Sequence, residues 1–145
     1  MNKRSLRIFV FLIRIALGLL FVYGGVQKFI PKPPRSKTEA AAELPGHVVK
    51  IKEYIGGMKG TGYFWPVLGV TEIVCGLLLL SQVFALLGAV MLVPVTLHIF
   101  LFHLFLEPHE RGELLLTALY LLANIGLIAY EFPKLKPVFL NLKTT

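Results

Sequence analysis

Aspartate is absent from this 145-residue chain, so all eight acidic residues are glutamates, and cysteine occurs once, as Cys75. A lone cysteine closes no intramolecular disulfide and makes no Cys-x-x-Cys pair. That argues against a self-contained thiol oxidoreductase and leaves the compartment open. A phosphate-cradling glycine loop, metal-ligand spacing and a partnered nucleophile are also missing. Ser5, Ser36 and Ser81 are terminal or in loops, with no histidine beside them in sequence. No metal site is expected, and whether the chain is an enzyme stays open. Polar surface is scarce as well. Apolar residues form 56% of the chain, against about 45–50% in soluble domains, and mean hydropathy is +0.74.

What is present is four apolar runs, Ile8–Phe29, Tyr63–Leu80, Val83–Leu106 and Glu113–Tyr130. Each is close to the roughly 20 residues that cross the hydrocarbon core. Four in series leave too little polar chain to cover them. The predicted fold is an all-α membrane protein, a single domain over 1–145. It is a four-transmembrane-helix bundle with one long loop, 31–62, between helices 1 and 2. The basic stretch Met1–Arg7 ahead of the first run has the look of a signal peptide. The length of the run, Arg14 within it and the lack of an A-x-A-like site instead predict a retained span. Ser81-Gln82 predicts a tight hairpin between spans 2 and 3, and Glu107–Gly112 a polar break before span 4.

The net charge is +7. The Lys and Arg residues lie mostly outside the apolar runs, where they meet lipid headgroups, so the bilayer rather than nucleic acid is the expected partner. In the loop, Pro31–Lys37 reads as extended. Val48, Ile51, Ile55 and Met58 recur at helical spacing and predict a short interfacial helix. Tyr63, Phe64 and Trp65 follow where an aromatic belt belongs. The basic residues at both ends favour termini in the cytoplasm, although the loop is basic too.

Ionisable side chains inside the runs are the informative ones, because each costs at least about 2.5–3.5 kcal/mol in hydrocarbon and so turns inward to a partner. Arg14, Gly18, Phe21, Gly25 and Lys28 share one helical face, as do Gly69, Glu72 and Gly76. The glycines allow a second helix to approach closely. Counted by helical rise from the terminal side, Arg14 lies about 9 Å deep, Asn124 about 14 Å and Glu72 about 16 Å. An inner polar layer of Arg14, Glu72 and Asn124 is therefore expected, with Glu72 paired to Arg14 rather than to Lys28. A second layer holds His98 at about 22 Å and Thr117 at about 24 Å, with Lys28 and His103 at the far boundary. Each has a plainer alternative. Arg14–Glu72 can be a purely structural ion pair, Lys28 can snorkel, His103 can sit among headgroups, Cys75 can be packing, and Thr96 and Thr117 can bond their own helix backbone. His98 and His103 are five positions apart, about 140° around a helix, which does not suit one shared metal.

The stretch from Arg14 through Gly18, Phe21, Gly24-Gly25 and Lys28 to Phe29 resembles the opening span of the DoxX family. Pro66 to Leu80, with Gly69, Glu72 and Gly76, resembles its second. The resemblance implies a four-helix, multi-pass protein of a bacterial cell membrane with a loose link to redox chemistry. Some relatives are membrane subunits of thiosulfate:quinone oxidoreductase, others associate with oxidative-stress enzymes, and many have no assigned activity. Arg14, Lys28 and Glu72 match polar family positions, with no catalytic role carried over.

Three functions compete. In the first, the chain is a membrane subunit supporting electron or sulfur metabolism and holds a quinone, with His98 or Lys28 bonding its carbonyl. A haem on His98 is disfavoured. In the second, it is a non-catalytic assembly protein whose loop 31–62 docks a protein partner or anionic lipid, alone or as a homo-oligomer. In the third, it is a small proton-coupled transporter with Glu72 as carrier and Arg14 as counter-ion.

Overall fold

The computed structural model describes residues 2–31 and 45–139. Pro31 is included, and the rest of the stretch expected to be extended lies outside the described residues. Among the described residues the chain is all helical: α1 (Lys3–Gln27), α2 (Gly46–Gly60), α3 (Phe64–Leu80), α4 (Ala85–Leu106) and α5 (Arg111–Phe139). Three of these, α1, α4 and α5, are long and apolar enough to cross a membrane. A fourth candidate arises if α2 and α3, bent by 88° to each other, count as one broken span. Many large apolar side chains face outward, among them Leu12, Leu19, Leu87, Leu119 and Leu122. In water such a surface would aggregate; in lipid it is the expected exterior.

The expected spans are corrected in their bounds. α1 begins at Lys3, where Asn2 Oδ1 accepts from the Arg4 N–H. The fourth run was expected to stop at Tyr130, at the first charge after it. The helix instead continues through Glu131, Pro133 and Pro137 to Phe139. The segment 31–62 is not simply a loop, since α2 occupies half of it, on the residues whose spacing predicted an interfacial helix. At the junction Gly62 takes φ +75°, a left-handed conformation that glycine adopts without strain and that turns the chain into α3.

Packing is built on glycine. An added Cβ on Gly76 would lie 2.7 Å from the Gly18 carbonyl oxygen, and one on Gly25 would lie 2.6 Å from that of Gly69. These two pairs fix α1 antiparallel to α3 with the backbones in contact. Gly88 does the same for α4, where a Cβ would lie 2.9 Å from the Cys75 carbonyl oxygen. The α3–α4 hairpin is tight, as expected. Ser81 Oγ donates to the Leu78 carbonyl and accepts from the Phe84 N–H, and Gln82 sits at φ 60°. Leu17, Phe21, Cys75, Leu79, Leu92 and Leu127 form the core. Cys75 is fully buried there, as packing.

Candidate functional site

The polar residues fall into separate groups, and the pairing differs from the expected one. Arg14 does not meet Glu72. Its guanidinium donates to Glu131 Oε1 at 2.5 Å and to Gln82 Oε1 at 3.3 Å. Glu72 instead accepts from Lys28 Nζ at 2.5 Å, and Lys28 also reaches the Gly24 carbonyl at 3.5 Å.

Side-chain direction explains the correction. Every Cα–Cβ bond in a helix tilts toward the helix N-terminus. α1 and α3 run antiparallel, so Lys28 leans back along α1 while Glu72 leans along α3 toward it. Arg14 leans in the same sense as Lys28, toward the start of α1, and so away from Glu72 and toward Gln82 of the α3–α4 hairpin and Glu131 of α5. Depth counted by helical rise omits this tilt. Lys28 therefore does not snorkel away from the bundle but holds the carboxylate of Glu72, which is 3% exposed. The proton-transport alternative loses its assigned counter-ion by the same observation.

Asn124 also leaves the expected inner layer. It is fully buried and donates through Nδ2 to Thr96 Oγ1 at 3.3 Å, with its Oδ1 unpartnered. Thr96 in turn donates to the carbonyls of Leu92 and Val93. Thr117 bonds the Glu113 and Leu114 carbonyls of its own helix and does not line the site described below. Glu131 is the acid that sequence reasoning missed. It is 7% exposed and is shared between Arg14 and Lys134. The signal was available: Arg14 needs a partner on the terminal side, and Glu131 is the first carboxylate there after span 4. A double-mutant cycle of Arg14→Met and Glu131→Gln, read by thermal unfolding in detergent, is expected to give a coupling of about 0.5–3 kcal/mol. Strict additivity would remove the pair from the list of contacts that hold α5 to α1.

On the other side of the bundle, α2 packs on α3 and α4 and borders an open cavity of about 180 Å³, the inner of two because it reaches Glu72. Leu68, Ile99 and Phe102 make its apolar wall, and Lys28, Glu72, Tyr54, His98 and His103 bring polar groups to it. The Tyr54 hydroxyl and His98 Nε2 are 2.7 Å apart, with the donor set by the imidazole tautomer. Their rings stack at 5.9 Å, and Tyr54 also meets Phe102 at 5.7 Å. His103 Nδ1 lies 2.8 Å from Glu107 Oε2, within ion-pair range but without hydrogen-bond alignment. The two histidines thus border one cavity although they stand on different faces of α4. Among the described residues no group of three or more His, Cys, Asp or Glu side chains is placed to hold a metal.

Tyr54 was not singled out from sequence, because only the 88° fold of α2 onto the bundle brings it to His98. Trp65, expected only as belt, is part of the cavity wall.

The DoxX family model matches residues 9–104, well over half of the chain. The chain belongs to the DoxX family. No curated protein and no solved structure matches it. The DoxX match spans α1 to α4 and so contains Lys28, Tyr54, Glu72, His98 and His103. Thr117, Asn124 and Glu131 lie beyond it on α5. The cavity bordered by α2 is thus built within the DoxX region, whereas the Arg14–Glu131 and Thr96–Asn124 contacts join that region to the last helix.

Proposed function

We propose that this DoxX-family protein is a four-crossing subunit of a redox system in a bacterial cell membrane, and that it holds a quinone ring in the inner cavity. In this reading α3 is the second crossing, α2 lies along the interface, and both termini are cytoplasmic. The observation that carries it is the cavity's make-up: an apolar wall with a few convergent polar groups, the usual character of a small-molecule site. Its volume of about 180 Å³ is below the ~300–1,000 Å³ of sites that bury drug-sized ligands. It therefore suits a single substituted ring, with an isoprenoid tail left in lipid.

A quinone presents two carbonyl acceptors. Lys28 offers an ammonium, and the Tyr54–His98 pair offers a proton on the opposite element. A bound quinone supplies two-electron, two-proton redox chemistry. The chain's own part is to orient the two carbonyls between Lys28 and the Tyr54–His98 pair. Its redox partner is a separate protein.

Trp65 is the one tryptophan of the chain and borders the cavity, so its emission reports occupancy. A tail-less quinone added to the detergent-purified protein is expected to quench it saturably. His98→Ala should weaken binding about 2- to 10-fold, the range of one lost hydrogen bond, and Thr117→Ala should not change it. Quenching that rises linearly with concentration and ignores His98→Ala would sink the reading. So would the absence of any quinone from mass spectra of lipid extracted with the protein.

A further inference from the structure

Outside the inner cavity lies a second, larger chamber of about 680 Å³ that shares Lys28 and Trp65 with it. Its polar lining comes from Tyr23, Gln27, Lys28, Lys59 and Trp65, and no carboxylate belongs to its wall among the described residues. Two ammonium groups converge on one indole there: Lys59 Nζ stands 4.8 Å from the Trp65 ring centroid and Lys28 Nζ 5.4 Å. They arrive on different elements, Lys59 from the last turn of α2 and Lys28 from the end of α1.

Their charges are not balanced alike. Lys28 has Glu72 on its inner side. Lys59 has no acidic partner among the described residues. A ring face attracts a cation but does not neutralise it. Among the described residues the lining thus carries one surplus positive charge, beside the neutral donors of Tyr23 and Gln27.

We propose that this chamber binds a phosphate-type anion through Lys59 and Lys28, with Gln27 and Tyr23 as neutral donors. Several donors lining one chamber suit a group with several equivalent acceptor oxygens, and lysine is a common point-charge partner of phosphate. The volume leaves room for more than the phosphate, so an anionic lipid headgroup fits as well as the free ion. The site shares Lys28 with the quinone reading, but Lys59 and Gln27 line only the outer chamber, so variants at Lys59 test it separately.

The test titrates short-chain phosphatidylglycerol, short-chain phosphatidylcholine and inorganic phosphate onto the full chain in neutral detergent, read by Trp65 emission. Phosphatidylglycerol is expected to bind more tightly than the zwitterionic lipid. Lys59→Gln is expected to weaken it about fivefold, the effect of one basic residue at an anionic surface, and Lys59→Glu, which reverses the charge, about 25-fold. Quinone quenching should be the same in both variants. Competition by inorganic phosphate identifies the free ion as sufficient, and binding of the lipid alone identifies the headgroup; either supports the site. Equal affinity for the two lipids overturns it, as does unchanged affinity in Lys59→Gln, the variant that removes the charge without placing an acid in the chamber.

Discussion

Breaking the Lys28–Glu72 pair is expected to destabilise the protein by about 3–5 kcal/mol, whereas removing both partners together should cost much less. The reason is asymmetric burial. Removing one partner leaves the other's charge inside the bundle, with desolvation no longer offset. After Lys28→Met, Glu72 is enclosed by α1 and α3 and loses its one ion-pair partner among the described residues. After Glu72→Leu, Lys28 retains the Gly24 carbonyl at 3.5 Å and the Trp65 ring face at 5.4 Å and can shift toward the outer chamber, so this variant should be the milder of the two. The double variant Lys28→Met/Glu72→Leu carries no buried charge and keeps similar volume. Thermal unfolding of all four proteins in one detergent settles the matter. If the double variant were as unstable as the sum of the singles, the two residues would not act as a pair.

The second large effect concerns the seam between α1 and α3. Gly76→Ala and Gly25→Ala each place a methyl group against backbone. The contacts are 2.7 Å to the Gly18 carbonyl oxygen and 2.6 Å to that of Gly69. A flexible side chain can rotate away from such a methyl; a helix backbone cannot, so the helices must separate. Overpacking of this kind costs about 1–3 kcal/mol per site. The two sites sit seven residues apart on each helix, so the double variant opens the whole seam and also parts Lys28 from Glu72. It is expected to elute as aggregate in size-exclusion chromatography. Gly24→Ala is the control on the same helix, since its Cβ would meet only Glu72 Oε2, at 3.8 Å, an ordinary contact. If Gly24→Ala were as damaging as Gly25→Ala, helix flexibility rather than close approach would explain the glycines.

Much of the bundle was legible in sequence because lipid imposes simple rules on it. The apolar runs located α1, α3, α4 and α5, and the spacing of Val48, Ile51, Ile55 and Met58 located α2. The glycine faces of the first two runs were legible for the same reason: residues three and four apart share a face. The end of α5 was not, because a glutamate after an apolar run reads as a boundary, whereas Glu131 stays helical with Arg14 as its partner.

The candidate site was legible in its members and not in its connections. Lys28, Glu72, His98 and His103 stood out as polar residues in or beside apolar runs, but Glu72 was expected on Arg14 and is held by Lys28. Tyr54 carried no signal at all, since a tyrosine in an amphipathic segment is ordinary until the segment folds over a particular histidine.

By itself the sequence determined the medium, the helices and the set of buried polar groups, since hydropathy and helical period are local properties of the chain. Only the tertiary structure decided which cation meets which carboxylate. That choice depends on helix register and on the tilt of each side chain toward its own N-terminus, and both are defined only once two helices lie against each other.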